Sequence, residues 1–216
     1  MSINSQSIIV FGATGGTGRH AVTQALADGH DVTAFVRTPS KLDLQHPRLT
    51  IVQGDVMDTD AVSEAIRGKD AVLCCIGAPP SSKAQIRARG TASIIAGMRR
   101  TGVTRLICQS SHGIAETAAE LPWLMRWVIV PFYLKPVFAD HEAQETVVRG
   151  SGLRWTLVRP PHLHDGARAA AIRHSPDFDP QTMTMKIARA DVAGFMVRAA
   201  VEPAYVQQTV VVAAAA

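Results

Sequence analysis

Three glycines recur at intervals of three residues near the start of the chain, at Gly12, Gly15 and Gly18. An unbroken apolar run at residues 8–11 precedes them, as is typical of a strand buried on both faces, and an amphipathic helical pattern follows. A strand that turns into a helix in this way presents the helix's free N–H groups and positive dipole end, which can bind phosphate. Because glycine lacks a Cβ atom, the first can make the tight turn, the second lets a pyrophosphate approach and the third lets the helix pack closely. The spacing therefore predicts a dinucleotide site.

The spacing is GxxGxxG, because Ala13 and Thr14 separate the first two glycines. We interpret it as the variant of extended or atypical short-chain dehydrogenases, and not as the GxGxxG of long-chain dehydrogenases. A tight strand-to-helix turn without a ligand is the alternative. The residues of this turn predicted to bind the cofactor are Gly12, Thr14, Gly15, Gly16, Thr17 and Gly18.

The second predicted strand, residues 31–36, is followed by Arg37, where an NAD enzyme carries an acidic residue for the ribose 2'-hydroxyl. A guanidinium instead offers a planar fork to a 2'-phosphate, and Thr38, Ser40 and Lys41 can add donors. We therefore expect NADPH to be preferred over NADH. A solvated surface arginine at a strand end is the alternative.

Strand and helix patterns alternate along the chain. Further strands are predicted at residues 49–53, 71–76, 105–109, 155–158, 183–187 and 206–212, and helices at about residues 16–28, 59–66, 83–101, 140–149 and 189–200. This order predicts an α/β fold, a doubly wound and mostly parallel Rossmann sheet, as a single domain over residues 1–216. A loop is predicted from Pro161 to about Thr182, and a small C-terminal lobe on the substrate side, which is built from about residues 112–140 and 160–190.

Composition limits the partners that can be expected. The 216 residues carry a net charge of +4 without a basic run, so nucleic acid is not expected and small anionic ligands are favoured. Cationic side chains do lie on or beside the third predicted helix, at Lys83, Arg87, Arg89, Arg99 and Arg100. They could mildly steer phosphates or carboxylates, although the pattern favours a solvated helix face. A monomer or homodimer is expected.

The sequence also bears on where the protein is located in the cell and on whether it binds a metal. The start of the chain shows no signal peptide, so a cytoplasmic protein is expected. The apolar stretch at residues 121–138 is too short and too interrupted to span a bilayer, and no membrane partner is expected. Three cysteines, Cys74, Cys75 and Cys108, lie in strand-like runs and are expected to be buried thiols. His162 and His164, together with Asp165, have a spacing that could chelate a metal. The sequence does not show that a third ligand lies close to the two histidines, so no metal centre is predicted.

Ligands of doubly wound sheets bind beyond the carboxyl ends of the strands. The candidates there, besides Arg37 and the glycine turn, are Asp55, Val56, Gly77, Ser110, Ser111, Pro161 and His162. Asp55 could accept from the adenine amino group while Val56 packs on the ring, or Asp55 could simply cap a turn. Gly77, which Ala78 and Pro79 follow, Ser110 and Pro161 are predicted to contact the cofactor. Ser111 could relay a proton, or it could be a turn hydroxyl at the end of a strand. His162 is the titratable group nearest that position, or a histidine whose partners are backbone groups in a proline-flanked loop.

A typical short-chain dehydrogenase uses a tyrosine as general acid with a lysine four residues on. Here Tyr133 is followed four residues on by Val137, and Tyr205 by Thr209. An acceptor with its own electron sink, such as a flavin or a bilin, demands less of the protein than a carbonyl does. The sequence therefore predicts either a conjugated acceptor or no catalysis.

Several motifs together resemble one family. GATGGTG, VRTPSKL, QGDVMD, ARADVAGFMV and the run DHEAQETVVRGSGLRWTLVRPPHLHDG resemble the biliverdin-IXβ reductase and NADPH-dependent flavin reductase family, within the NmrA-like atypical short-chain dehydrogenases. The resemblance covers nearly the whole chain. It implies that the serine after strand five is Ser111 and the histidine of the PPH motif His162, both beside the nicotinamide. It also implies NADPH-dependent reduction of flavins, with FMN or FAD as a substrate, and perhaps of bilins.

The stretch at residues 121–138 has little counterpart in that family. It holds two of the three tryptophans and one of the two tyrosines, so an acceptor-stacking lid, a dimer interface and a helix that covers the core are all open. The function expected is hydride transfer from NADPH to a flavin-like acceptor. A non-catalytic NmrA-like redox sensor that regulates a protein partner is the alternative.

Overall fold

The computed structural model describes residues 5–78, 85–121, 123–202 and 204–216. Strands and helices alternate as the sequence predicts. The strands are β1 Ser7–Phe11, β2 Asp31–Val36, β3 Leu49–Gln53, β4 Ala71–Cys74, β5 Arg105–Gln109, β6 Arg154–Arg159, β7 His162–His164, β8 Ile172–Ser175, β9 Lys186–Ala188 and β10 Gln208–Ala214. The helices are α1 Gly16–Ala27, α2 Thr59–Ile66, α3 Ile86–Thr101, α4 Lys135–Arg149 and α5 Arg189–Val201.

Eight strands form one sheet in the order β3-β2-β1-β4-β5-β6-β10-β8. Every pair is parallel except β10 with β8, which is antiparallel at the edge. The first six positions show the strand order of the dinucleotide-binding Rossmann fold, so the predicted fold class is confirmed. A second, two-stranded parallel sheet pairs β7 with β9 beside the carboxyl ends of the main strands.

The central strands are buried on both faces, which explains their continuous apolar runs. One hydrophobic cluster lies on the face that α1 and α5 cover, and includes Val10, Leu73 and Met196. The other lies under α2, α3 and α4, and includes Phe11 and Leu106. Helices packed on both faces leave the carboxyl ends of the strands open as the place for a ligand.

Several predicted boundaries differ from the structure. β4 ends at Cys74, two residues early, and α4 begins at Lys135, five residues before the predicted start. The strands predicted at residues 183–187 and 206–212 are shifted to Lys186–Ala188 and Gln208–Ala214. Pro136 lies in the first turn of α4, where its missing N–H costs no hydrogen bond, so it is compatible with the earlier start of this helix. The loop predicted after Pro161 contains β7 and β8, short strands whose polar residues conceal the pattern. The predicted helix start at Lys83 and the candidate turn residue Pro79 lie outside the described residues.

Residues 125–134 form a π-helix that leads directly into α4. Within the described ranges, no helix combines the length and hydrophobicity needed to cross a bilayer. The three cysteines are free and buried, as predicted.

Candidate dinucleotide-binding site

The glycine turn after β1 has the close contacts that its sequence predicts. Gly12 has a φ of +78°, and a Cβ atom there would lie 2.4 Å from the carbonyl oxygen of Cys75, which directly follows the neighbouring strand β4. A Cβ atom on Gly18 would lie 2.1 Å from the carbonyl oxygen of Gly12. Gly15 closes the turn by donating its N–H to the same oxygen at 2.9 Å. Side chains at the first and third positions are therefore excluded by backbone atoms, which cannot move aside cheaply.

The N-terminus of α1 offers N–H groups to an anion. The cap residue Gly15 is exposed and has no side chain that could accept hydrogen bonds from these N–H groups. The first turn of this twelve-residue helix contains no acidic residue. The first-turn N–H groups of a helix have no partner within the helix, and the helix dipole adds positive potential there. The turn therefore has the shape and polarity to hold a pyrophosphate.

A groove of about 530 Å³, here the first groove, begins at this turn and runs across the ends of β1, β2, β3 and β4. Its lining includes Gly12, Thr14, Gly15, Phe35, Arg37, Asp55, Val56, Ile76 and Gly77. Asp55 caps a turn by accepting the N–H of Met57 at 2.9 Å, and it also faces this groove. The two interpretations of Asp55 are thus compatible.

A separate hollow of about 360 Å³, here the Arg37 hollow, is lined by Thr14, Arg37, Thr38 and Lys41. Thr14 and Arg37 also line the first groove. The backbone beside the hollow is held in place, because Arg19 donates to the carbonyl oxygen of Lys41 at 2.7 Å. Two cations and two hydroxyls around one hollow suit a phosphate. Ser40, a further predicted donor, is exposed and is not among the lining residues.

The first groove is continuous with a second groove of about 270 Å³, because Gly15, Ile76 and Gly77 line both. The other lining residues of the second groove are Gly16, Thr17, Cys75, Arg87, Gln109, Ser110, Ser111, His141, Pro160, Pro161, Leu163 and Arg189. Of the twelve predicted cofactor residues, eleven line a groove. Gly18 is the exception, and its part is to let α1 pack under the turn.

Two serine hydroxyls follow β5 in the second groove. Ser110 is 3% exposed, and its Oγ has no hydrogen-bond partner among the described residues. Ser111 is partly exposed and donates its hydroxyl to the carbonyl oxygen of His112 at 3.1 Å. An unpaired buried hydroxyl is costly unless a bound molecule satisfies it, so Ser110 fits a polar ligand in this groove.

His162 lies elsewhere. Its side chain is exposed and is not among the described lining residues, whereas its neighbours Pro161 and Leu163 are. Successive side chains of a strand point to opposite faces. His162 is the first residue of β7, so its side chain lies on the face opposite to that of Leu163, which lines the groove. Its backbone N–H donates to the carbonyl oxygen of Met185 at 3.2 Å. The structure therefore brings Ser111, but not the ring of His162, to the groove.

The second groove also contains Arg87 and His141, to which the sequence assigned no catalytic or cofactor role. Asp140 links the two residues. It is the neighbour of His141 on α4, and its carboxylate accepts the backbone N–H of Arg87 at 3.1 Å. His141 is 8% exposed, and its Nδ1 lies 3.3 Å from Oε1 of Gln144. Burial, with the charge of Arg87 adding to it, lowers the pKa of His141 to about 4. A neutral imidazole and a cationic guanidinium therefore face the groove together.

Arg189 is a residue that sequence reasoning missed. It begins α5, directly after β9, and its side chain packs on Gly16 at the start of α1. Its Nη1 donates to Oδ1 of Asp165 at 2.8 Å. Position at the carboxyl end of a predicted strand was the one available signal, and it is shared by many residues.

These features define a class: a Rossmann-fold protein with a groove shaped for a dinucleotide. A match to the family model described as NAD(P)H-binding extends over residues 12–203, and the chain belongs to that family. The coarser part of the predicted resemblance, an NAD(P)H-binding protein with a Rossmann fold, is thereby confirmed.

Two curated relatives are reductases. The chain is 31% identical over 210 residues to the reductase pytE of Aspergillus terreus, with 78% of this chain and 80% of the relative covered. It is 31% identical over 153 residues to a (4-alkanoyl-5-oxo-2,5-dihydrofuran-3-yl)methyl phosphate reductase of Streptomyces griseus, with 71% of this chain and 46% of the relative covered. The chain thus spans about half the length of that relative. Both similarities support an NAD(P)H-dependent oxidoreductase.

Two solved structures show the same fold. ChuY, an anaerobillin reductase from Escherichia coli O157:H7, superposes with a TM-score of 0.78 at 21% identity, covering 96% of each chain. A short-chain dehydrogenase/reductase from Veillonella parvula in complex with NADP superposes with a TM-score of 0.76 at 18% identity, covering 96% of this chain and 94% of the other.

Proposed function

We propose that the protein is an NADPH-dependent reductase that transfers a hydride to a flavin or a similarly conjugated acceptor. One observation carries the proposal. The first groove joins the Arg37 hollow to a second groove whose described lining offers serine hydroxyls but no tyrosine–lysine pair. The hollow favours a 2'-phosphate. The second groove offers little acid catalysis, so the acceptor itself must stabilise the negative charge that it gains with the hydride.

The described residues would hold the coenzyme along this path. The glycine turn and the N-terminus of α1 bind the pyrophosphate, while Arg37 and Lys41 bind the 2'-phosphate. Val56 packs against the adenine, and Ser110 donates its unpaired hydroxyl to the nicotinamide end. NADPH, when bound, supplies the hydride.

The side chains of the second groove favour acceptors that need little acid catalysis. Tyr133 is exposed and Tyr205 donates to or accepts from His174 at 2.7 Å, and neither lines the second groove among the described residues. His141 is neutral at pH 7 because its pKa is about 4, so it is a poor proton donor there. Ser111 can hydrogen-bond the acceptor and pass on a proton from solvent. A conjugated ring system can accept the hydride with this modest assistance.

The relatives support this choice without establishing it. ChuY is described as an anaerobillin reductase, and the Streptomyces griseus relative as the reductase of a 5-oxo-2,5-dihydrofuran methyl phosphate. The V. parvula structure contains NADP. Each is consistent with a phosphorylated nicotinamide coenzyme or an unsaturated acceptor in this fold.

The test is a coenzyme titration followed by a panel of acceptors. NADPH oxidation should accelerate when FMN, FAD, biliverdin or a quinone is added, and NADPH should bind more tightly than NADH. Tight binding of NADPH without turnover of any of these acceptors would overturn the proposal. That result, together with equal affinity for NADP+ and NADPH, would instead support the redox sensor.

A further inference from the structure

Large apolar side chains lie exposed in the helical segment that precedes α4. Trp123 is 71% exposed, Trp127 58% and Tyr133 72%, and Leu124 and Val128 are exposed beside them. These five residues are called the aromatic face here. Soluble proteins seldom leave contiguous apolar patches of this kind open to water, and such patches mark a binding surface.

The helix geometry gathers these side chains on one side. The π-helix at residues 125–134 has i→i+5 hydrogen bonds, so its turns are wider than those of an α-helix. Trp123 and Trp127 are four residues apart, and Val128 and Tyr133 five, so the members of each pair are spaced by about one helical turn and fall towards the same side of the helix. The exposure of Trp123, Trp127 and Tyr133 does not fit a helix that covers the core.

The charged residues of the same segment are all cationic. Residues 121–138 contain Arg126 and Lys135, both exposed, and no acidic residue. The guanidinium carbon of Arg126 lies 5.2 Å from the ring centroid of Trp127, so cation and aromatic ring are presented together. The whole chain also carries a net charge of +4.

We propose that the aromatic face binds the surface of a bilayer that contains anionic lipid, with the helix lying in the headgroup region. Tryptophan and tyrosine favour this boundary because one part of each ring system is apolar and another donates hydrogen bonds. Lysine and arginine reach anionic headgroups from their apolar stems. The sequence analysis expected no membrane partner because residues 121–138 are too short and too interrupted to cross a bilayer. The proposal departs from that expectation, since a helix that lies in the interface does not have to cross.

The charge pattern favours lipid over a second copy of the chain. In a symmetric dimer the same surface meets itself, so the two cations of one copy would face a segment that brings two more cations and no acidic residue. An anionic lipid surface instead compensates both cations.

Vesicle binding by the full chain tests the proposal. The protein should co-sediment with vesicles of phosphatidylcholine and phosphatidylglycerol in equal parts, and should do so less with phosphatidylcholine alone or at high salt. Tryptophan emission should shift to shorter wavelength on binding. Trp155 is 6% exposed and already shielded from water, so the shift reports Trp123 and Trp127.

Two double variants separate the apolar and the charged contributions. W123A/W127A should lower vesicle affinity by roughly tenfold or more, and R126Q/K135Q by roughly tenfold on the anionic vesicles. Because all four side chains are exposed, both variants should keep the circular dichroism and Tm of the parent. The control is I51A, which removes an exposed apolar side chain on β3, away from the aromatic face.

Three results would overturn the proposal. One is failure of the parent protein to bind anionic vesicles. Another is binding that W123A/W127A leaves intact. The third is a parent dimer, detected by analytical ultracentrifugation without vesicle binding, that W123A/W127A dissolves, since this would assign the aromatic face to a second copy. None of these measurements depends on NADPH or on the acceptor.

Discussion

Asp140 holds Arg87 at two points, accepting its backbone N–H at 3.1 Å and lying 3.4 Å from its guanidinium Nη1. The same carboxylate accepts the N–H of Ala88 at 3.0 Å, so a residue of α4 caps the first turn of α3. Both charged side chains are nearly buried, at 11% and 6% exposure. This contact fixes one wall of the second groove.

The first prediction follows from this contact. D140A should lower the free energy of unfolding by about 3 kcal/mol, because it leaves a buried cation without a partner and a helix without its cap. In a chain of this size that corresponds to a loss of roughly 10 °C in Tm, measured by thermal denaturation. D60A is the control, since it breaks the exposed pair with Arg100 and should cost about 1 kcal/mol or less. Equal losses for the two variants would contradict the structural role of Asp140.

A second prediction concerns coenzyme choice. R37E should weaken NADPH binding on the order of a hundredfold and change NADH binding little, because the carboxylate repels a 2'-phosphate and can accept from a 2'-hydroxyl. Fluorescence titration with both coenzymes measures this. R67E makes the same charge change at an exposed helix end and should leave both affinities intact. Parallel losses for NADPH and NADH in R37E would refute the assigned role.

The glycine turn allows a third prediction. G18A should destabilise the protein by about 2 kcal/mol or more and reduce coenzyme binding, since its methyl group would meet the carbonyl oxygen of Gly12. G150A is the matched control, because its added Cβ lies 3.4 Å from the nearest oxygen, in ordinary contact. Chemical denaturation and coenzyme titration of both variants provide the measurement. A G18A protein as stable and as tightly binding as G150A would show that the turn can relax.

The fourth prediction separates two candidate catalytic residues. S111A should lower kcat/KM for acceptor reduction by roughly tenfold while leaving NADPH affinity nearly unchanged, because it removes a hydroxyl from the second groove. H162N should change kcat/KM by less than about twofold, since the ring of His162 is exposed and outside the described lining. Steady-state kinetics with one acceptor decides between them. A large loss in H162N alone would restore the role that the family resemblance implies.

A fifth prediction concerns acid stability. Burial lowers the pKa of both His112 and His141 to about 4 from an ordinary value of 6.5. The unfolded chain therefore takes up protons more readily, and stability is fully present above pH 6.5 and falls as the pH drops from 6.5 towards 4. For His141 the loss amounts to at most about 3 kcal/mol. Denaturant unfolding at several pH values measures it.

The slope of the free energy of unfolding against pH shows whether His141 contributes. H141Q should flatten it, whereas H20Q, at an exposed position on α1, should not. The slope is compared and not the absolute stability, so a general destabilisation of H141Q does not obscure the result. An unchanged slope in H141Q would mean that this histidine does not contribute.

Much of the fold could be predicted because the local signals agree. The strands at residues 31–36, 49–53 and 105–109 and the helix at 59–66 have their predicted bounds. The first and third of these strands are largely buried, and a buried parallel strand is a continuous apolar run. The helix begins after the capping residue Asp58, which accepts the N–H groups of Asp60 and Ala61. The short strands β7 and β8 escaped detection. Their stability derives from pairing with β9 and β10, which lie far along the chain, and not from an internal pattern.

The site divides in the same way. The glycine turn and Arg37 were predictable, because backbone geometry and chain direction determine where the residues after β1 and β2 must lie. Arg189 and His141 were not, because each reaches the grooves from a helix distant in sequence. His141 and Glu145 share a helix face in the sequence, a spacing more typical of surface or pocket-wall residues than of a catalytic pair. In the structure His141 lines the second groove, whereas Glu145 is 4% exposed and accepts from Arg159 of β6 at 2.6 Å.

The sequence alone determined the sheet, its helices and the place for a pyrophosphate, because these depend on residues that are neighbours in the chain. Only the tertiary structure decided which polar side chains surround the second groove, that His162 lies outside its described lining, and that the aromatic face at Trp123 and Trp127 is open. Such choices depend on which distant elements pack together, and short-range pattern carries little information about that.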